Sequence, residues 1–143
     1  MKVIIFKKEN VEEIIAHFIA YGYSDFIVFS RVDRKYYEMN GINVTQLADF
    51  DVESNCGRLA KIKGSLKEPF FIVYSSKIVA FDIDSVVRFH NKRQGTATLM
   101  ELNKRLVGAL SEMEIFDYME NTSSFEREAL LKAGQDGELS IYN

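Results

Sequence analysis

The sequence is poor in cysteine, with Cys56 alone among its 143 residues. One cysteine cannot form an internal disulfide, so a small secreted domain held together by disulfides is excluded. The apolar stretch near the N-terminus, Val3-Ile4-Ile5-Phe6, is too short for a signal peptide. No apolar run approaches the roughly 20 residues that cross a bilayer. We therefore expect a cytoplasmic protein that has no membrane partner.

The sequence also lacks an excess of charge of one sign. It has 18 Lys and Arg residues against 21 Asp and Glu residues, which gives a formal net charge of -3. A nucleic-acid-binding surface needs a basic excess, so the charge balance disfavours nucleic acid as a partner. With 47% hydrophobic residues, the chain can bury one core, and we expect residues 1–143 to form a single domain.

The first thirty residues predict a strand, a helix and a second strand. Residues 3–6 and 26–29 are continuous apolar runs, typical of strands buried on both faces of a parallel sheet. Asn10 is the predicted N-cap of the helix, and Gly22 follows its end. The helix itself is indicated by apolar residues at helical spacing: Val11, Ile14, Ile15, Phe18 and Ile19. Such a unit has a right-handed crossover between parallel strands.

The rest of the chain continues this alternation. Strands are predicted at residues 42–44, 70–74, 96–100 and 139–142, and helices at residues 32–39, 55–66, 84–94 and 125–133. Asp84 is the predicted N-cap of the third of these helices and Gly95 its stop. Ser123 or Ser124 is the predicted N-cap of the fourth and Gly134 its stop. Residues 102–113 fit one long helix as well as strands, so that segment stays open. The pattern predicts an α/β fold: a three-layer αβα, Rossmann-like domain with a mostly parallel sheet.

Several segments resemble a known enzyme family in collinear order. Cys56-Gly57-Arg58-Leu59 begins a helix, the apolar strand at residues 70–74 ends in Tyr74, and Ser75-Ser76-Lys77 follows. Further similar segments lie at residues 125–130 and 136–140. In these features the chain resembles the glucose-1-phosphate cytidylyltransferase branch of the sugar nucleotidyltransferases. The resemblance implies a nucleotidyltransferase-like domain in a truncated form.

The departures from the family fall on its catalytic parts. A glycine-rich loop that cradles the triphosphate follows the first strand in the family, whereas Lys7-Lys8-Glu9-Asn10 follows it here. The family's first metal-binding aspartate corresponds to Ser76, and a hydroxyl cannot replace a carboxylate as a magnesium ligand. Its Glu-Lys-Pro motif has no counterpart between Met100 and Ile115, and its second metal-binding aspartate would lie beyond Asn143. The resemblance therefore implies a relative without the ancestral catalysis.

We therefore expect a ligand-binding protein with no catalytic residue, no metal site and no cofactor. Its ligand would be a nucleotide, a sugar phosphate or a partner enzyme in polysaccharide precursor metabolism. The partner could be an active nucleotidyltransferase or a second copy of the chain. Open α/β sheets bind ligands at the carboxyl ends of their strands. The candidate ligand-binding residues are Gly57, Arg58, Tyr74, Ser75, Ser76, Lys77 and Asp82.

Two alternatives stay open. The first is a residual nucleotidyltransferase that acts on a sugar 1-phosphate with magnesium, with Ser75, Ser76, Lys77 and Asp82 near the reaction centre. The second is a structural protein that dimerises through an exposed sheet edge. No serine or acidic partner can be placed beside His17 from the sequence, so we expect it to pack at the surface. His90 resembles a family position of structural type, and the resemblance therefore implies a structural role.

Overall fold

A computed structural model of the chain describes residues 1–6, 9–29, 41–47, 55–119 and 125–143. Within these ranges the strands are β1 (Val3–Ile5), β2 (Asp25–Val28), β3 (Asn43–Gln46), β4 (Phe70–Val73), β5 (Ala97–Leu102), β6 (Arg105–Ser111) and β7 (Leu139–Tyr142). The α-helices are α1 (Val11–Ile19), α2 (Asn55–Ile62), α3 (Ile83–Arg93), α4 (Ile115–Tyr118) and α5 (Leu130–Gln135). Short 3-10 helices occupy Lys63–Ser65 and Ser76–Ala80, and a π-helical turn, Phe125–Ala129, leads into α5. The helix predicted at residues 32–39 lies outside the described residues.

The strands form one sheet in the order β3-β2-β1-β4-β6-β5-β7. β6 runs antiparallel to β4 and β5, and every other neighbouring pair is parallel. Helices cover both faces of the sheet. The predicted three-layer, Rossmann-like α/β fold with a mostly parallel sheet is confirmed.

Alternation along the strands divides the core into two clusters. Val3 and Ile5 of β1 pack on one side of the sheet, the first face, with α1 and α3. Ile4 and Phe6 pack on the other side, the second face, with α2, α4 and α5. All four side chains of β4 are fully buried, because this central strand contributes to both clusters. The continuous apolar runs of the sequence are therefore strands buried on both faces, as predicted.

β5 and β6 form a hairpin that covers most of residues 102–113, the segment whose secondary structure the sequence did not decide. Its two-residue turn consists of Asn103 and Lys104, with φ values of 53° and 63°. Positive φ at both central residues defines a type I′ turn, whose twist suits a two-residue hairpin loop. Residues 102–113 are therefore the end of one strand, a turn and a second strand, and not a long helix.

The ends of two helices differ from their predicted positions. Asp82, and not Asp84, caps α3: its carboxylate accepts a hydrogen bond from the Ser85 amide at 3.1 Å. The left-handed residue at the other end of α3 is Gln94, with φ 57°, in place of the predicted Gly95. Gly95 follows it at a close approach, where a Cβ atom would lie 2.8 Å from the Glu138 carbonyl oxygen.

The last helix also continues past its predicted stop. Gly134 lies inside α5, which ends at Gln135, and the glycine with a positive φ, 74°, is Gly137. A glycine is tolerated inside a helix at a modest cost in stability, so its presence does not by itself end one. The serines predicted to cap this helix, Ser123 and Ser124, lie outside the described residues.

Membrane-spanning helices are not found among the described residues, since none of their helices has both the length and the apolar composition that crossing requires.

Gly108 of β6 allows β4, β6 and the 3-10 helix Ser76–Ala80 to approach closely. A Cβ atom at this position would lie 2.8 Å from the Ile72 carbonyl oxygen and 2.7 Å from Cδ1 of Ile78. We expect Gly108→Ala to lower the free energy of unfolding by about 1–3 kcal/mol, because backbone cannot yield as a flexible side chain can. Urea denaturation measures the change.

Gly64→Ala is the matched control, since a Cβ atom on Gly64 meets nothing within 4 Å. We expect it to change the free energy of unfolding by less than about 0.5 kcal/mol. Equal effects of the two substitutions would contradict a steric role for Gly108.

Candidate functional site

The carboxyl ends of β1, β2 and β4 lie side by side at one edge of the sheet. Ile5 is in register with Val28 of β2 and with Val73 of β4. The ladder continues one residue further, since the Phe6 amide donates to the Val73 carbonyl at 3.0 Å and the Phe29 amide donates to the Ile5 carbonyl at 3.1 Å. The residue that directly follows each strand therefore packs on the second face at this edge. These residues are Phe6, Phe29 and Tyr74.

These three rings form a contiguous group, here named the aromatic row (Phe6, Phe29 and Tyr74). The ring centroid of Phe6 lies 5.4 Å from that of Phe29 and 5.8 Å from that of Tyr74, with tilts of 46° and 41°. Aromatic pairs at these separations and tilts attract each other. Phe6 and Phe29 are buried, whereas Tyr74 is half-buried at the end of the row.

Arg58 of α2 lies against the aromatic row. The buried side chains of Leu59 and Ile62 fix α2 on the second face. The guanidinium carbon of Arg58 then lies 5.6 Å from the ring centroid of Phe6 and 5.9 Å from that of Phe29. Cation–π contacts at such distances stabilise by about 0.5–2 kcal/mol. The guanidinium keeps its charge and can hold a phosphate or carboxylate with two parallel hydrogen bonds.

Four of the other predicted residues lie within three positions of Arg58 or Tyr74 in the sequence. Gly57 precedes Arg58 in α2 and is half-buried. Ser75 begins the 3-10 helix Ser76–Ala80: its hydroxyl oxygen accepts from the Lys77 amide at 3.2 Å, and its own amide donates to the Val107 carbonyl at 3.2 Å. Ser76 is half-buried and Lys77 is exposed.

Asp82 is placed apart from Arg58 and Tyr74. It caps α3, whose buried residues Ile83 and Val86 belong to the first face. The candidate residues are therefore divided between the two faces of the sheet, with Arg58 and Tyr74 together on the second face. Among the described residues, no three His, Cys, Asp or Glu side chains are grouped closely enough to hold a metal ion.

Sequence reasoning missed Phe6 and Phe29, which complete the surface beneath Arg58. A signal was present, because both residues directly follow buried strands, as Tyr74 does. An aromatic residue at that position is indistinguishable from core in the sequence. Only the parallel register shows that the three residues share one edge.

The two histidines bond to other elements of the fold. His17 donates from Nε2 to the Phe81 carbonyl at 2.8 Å, which ties α1 to the segment before α3. His90 is only 3% exposed. Its Nε2 lies 2.7 Å from a Glu112 carboxylate oxygen, and its Nδ1 lies 2.8 Å from the Thr98 hydroxyl. Since an ionised carboxylate only accepts, Nε2 donates to it, and in the neutral ring Nδ1 accepts the hydroxyl proton of Thr98.

A cleft of about 710 Å³ lies at the opposite edge of the sheet, by the amino ends of β1 and β2. Lys2, Tyr23 and Asp84 are among its lining residues. The Lys2 ammonium lies 3.7 Å from the Asp25 carboxylate. Burial and, to a smaller extent, the negative charge of Asp84 raise the pKa of Tyr23 to about 12.

We expect Asp84→Asn to lower the pKa of Tyr23 from about 12 without restoring the ordinary 10.0, because burial, the larger cause, remains. The folded chain holds the phenolic proton more tightly than the unfolded chain, so this group loses its contribution to stability as the pH rises from 10.0 to about 12. Phenolate absorbance after stopped-flow pH jumps measures the pKa before alkaline unfolding. Tyr23→Phe identifies the signal of Tyr23 among those of the other tyrosines.

Glu12→Gln is the control, because it also removes one negative charge, at an exposed position of α1. It should leave the pKa of Tyr23 unchanged. An equal fall in both variants would show that net charge, and not the proximity of Asp84, perturbs Tyr23.

Comparison with known proteins identifies the fold. No protein-family model and no curated protein matches this sequence. A candidate glucose-1-phosphate thymidylyltransferase from Bacillus anthracis has a similar structure, with a TM-score of 0.70 and 8% identity over 99% of this chain and 85% of that one. A UDP-glucose pyrophosphorylase in complex with UDP-glucose gives a TM-score of 0.62 with 7% identity, over 94% of this chain and 87% of that one.

A third similar structure is a candidate nucleotide-diphospho-sugar transferase from Desulfovibrio desulfuricans G20, with a TM-score of 0.57 and 11% identity, over 99% of this chain and 79% of that one. At these low identities the likeness concerns the fold alone. The chain therefore has the Rossmann-like fold of the nucleotidyltransferases. The aromatic row with Arg58 lies at the edge where open α/β sheets bind ligands.

Proposed function

We propose that the chain is a non-catalytic relative of the sugar nucleotidyltransferases that binds a nucleotide or a sugar phosphate in polysaccharide precursor metabolism. The observation that carries this proposal is the position of Arg58. Its guanidinium carbon is 5.6 Å from the ring of Phe6, directly after the carboxyl end of β1. A permanent cation at this edge of the sheet favours a phosphorylated ligand.

The residues beside Arg58 suit the other parts of such a ligand. Tyr74 is half-buried at the end of the aromatic row, where a nucleobase can stack on its ring. The hydroxyl groups of Ser75 and Ser76 follow it at the start of the 3-10 helix, and each hydroxyl can donate to a phosphate or sugar oxygen. Lys77 is exposed in the next position and adds a second cation.

The same residues do not favour nucleotidyl transfer. The reaction needs divalent cations and positive groups that neutralise charge on both phosphates. β4 is followed by Tyr74, Ser75, Ser76 and Lys77, which supply no carboxylate to hold magnesium. Asp82 accepts the Ser85 amide on the first face, away from Arg58. We therefore propose binding that does not require magnesium.

The resemblance of the sequence to cytidylyltransferases makes CTP the first ligand to test, with UTP, dTTP and glucose 1-phosphate beside it. At ten times its dissociation constant a ligand stabilises the folded chain by about 1.4 kcal/mol, which corresponds to a rise of roughly 4 °C in Tm. We expect one of these ligands to produce such a rise equally with and without magnesium. A panel without any shift would contradict ligand binding.

Substitutions on α2 test whether Arg58 holds the ligand. We expect Arg58→Ala to weaken binding at least tenfold by calorimetry, since a charge-assisted hydrogen bond contributes about 1.5–3 kcal/mol. Arg58→Lys keeps the charge but loses the paired hydrogen bonds, so its affinity should be intermediate. Lys61→Ala removes the same charge from an exposed position one turn away and should bind as the parent chain does. Equal losses in Arg58→Ala and Lys61→Ala would assign the effect to net charge alone.

Pyrophosphate release tests the absence of catalysis. We expect CTP, glucose 1-phosphate and magnesium to release no pyrophosphate above the rate without protein. Release that Asp82→Ala abolishes would overturn the proposal and favour a residual nucleotidyltransferase. Arg58→Ala is measured in the same assay, because a contaminating enzyme would be unaffected by either substitution.

A further inference from the structure

The cleft of about 710 Å³ by the amino ends of β1 and β2 has no part in the function proposed above. Its walls come from segments that are distant in sequence: Lys2, residues 21–25, residues 65–68 and the first turns of α3. Cavities of about 300–1,000 Å³ are typical of small-molecule sites. Arg58 and the aromatic row lie at the opposite edge of the sheet, so a ligand held there leaves this cleft open.

Tyr23 lines the cleft with a rigidly held ring. The ring packs edge to face against Phe18 and Phe71, with centroid separations of 5.6 Å in both cases and interplanar angles of 88° and 82°. These contacts fix the half-buried ring in one position. Its hydroxyl forms no hydrogen bond with any residue in the described ranges. The hydroxyl is therefore able to donate to a ligand.

Asp84 supplies a matching acceptor. It is exposed in the first turn of α3 and also lines the cleft. Because Asp82 caps this helix, the cap does not use the Asp84 carboxylate, which accepts no hydrogen bond from another residue in the part of the chain that the structure describes. The charge of Asp84 contributes to the raised pKa of Tyr23, which shows that the two side chains are near one another. A donor and an acceptor therefore share one cavity.

The charges around the cleft are nearly balanced. Lys2 and Lys67 lie in its lining with three carboxylates, those of Asp25, Glu68 and Asp84. The Glu68 carboxylate is paired with the Met1 amine at 2.7 Å, which leaves two cations and two carboxylates. An excess of one sign would attract a ligand of the opposite charge. The balance here favours a neutral polar ligand over a phosphate or a polyamine.

We infer that this cleft is a second ligand site, which binds a neutral mono- or disaccharide. A sugar hydroxyl both donates and accepts, so neighbouring hydroxyls of one pyranose ring can accept from Tyr23 and donate to Asp84. The hydroxyls of Ser24 and Ser65 line the same cleft and suit further sugar oxygens. The C–H groups of the sugar pack on the apolar part of the lining, the rings of Tyr21 and Tyr23 and the half-buried Val87.

Nuclear magnetic resonance of the isotope-labelled chain tests this inference, with glucose, galactose and maltose as probes and with no nucleotide or magnesium present. We expect at least one sugar to give saturable shifts of the amides of residues 21–25, 65–68 and 83–87. The amides of residues 55–58 and 74–77, at the edge with Arg58, should not move. The absence of saturable shifts for all three sugars, or shifts confined to the edge with Arg58, would overturn the inference. Because the probes carry no phosphate, the outcome does not depend on the function proposed above.

Two substitutions in the cleft test the roles of the donor and the acceptor. Tyr23→Phe removes the hydroxyl and keeps the ring contacts with Phe18 and Phe71, so we expect the affinity for the bound sugar to fall about twofold to tenfold. Asp84→Ala removes a charged acceptor and should weaken binding more than tenfold. Asp84 is exposed, so this variant tests the site even if Tyr23→Phe does not fold.

The matched controls lie on α4, which packs on the second face. Tyr118→Phe removes a tyrosine hydroxyl, and Asp117→Ala removes an exposed carboxylate from the first turn of a helix. Both should bind the sugar as the parent chain does. Unchanged affinity in Tyr23→Phe and Asp84→Ala, or equal losses in the cleft variants and the controls, would overturn the inference.

Discussion

The burial of β1 and β4 on both faces is the constraint on which the rest of this structure depends. All their side chains are 0% exposed, and alternate residues supply the two clusters of the core. Strands of this kind are stable only when helices cover both faces of the sheet. Their common register with β2 then aligns the carboxyl ends of three strands, and this alignment brings the aromatic row together at one edge.

The antiparallel strand β6 determines the path of the chain after β4, at the edge of the sheet where the aromatic row lies. The amides of Tyr74 and Ser75 both donate to the Val107 carbonyl, at 3.0 and 3.2 Å, so β6 fixes the first residues after β4. The following 3-10 helix then sends Ile78 into the first-face cluster, above Gly108. The chain therefore crosses from the side of Arg58 to the side of α1 within a few residues. This crossing separates Asp82 from Arg58.

The sequence predicted the elements whose signals are local and left open those that depend on distant contacts. The apolar runs of β1, β2 and β4 identified buried strands because each run is short, continuous and rich in β-branched or aromatic residues. The segment from Leu102 to Met113 carries both helical and alternating periods, so only pairing of β6 with β4 and β5 selects the hairpin. The predicted N-cap of α3 was wrong by two residues, because Asp82 and Asp84 are equally able to cap a helix. In the structure α3 begins at Ile83, so Asp82 is the residue that accepts the Ser85 amide.

The candidate site could be predicted only in part, for a related reason. The resemblance pointed to Arg58 and Tyr74, but their common contact with Phe6 arises from the packing of α2 on the second face through Leu59 and Ile62. That packing depends on residues far apart in the sequence, and nothing in the sequence around Phe6 distinguishes it from a core residue. Its chemical consequence is specific: the ring faces support one side of the guanidinium, and the cation can bind an anion without a divalent ion between them.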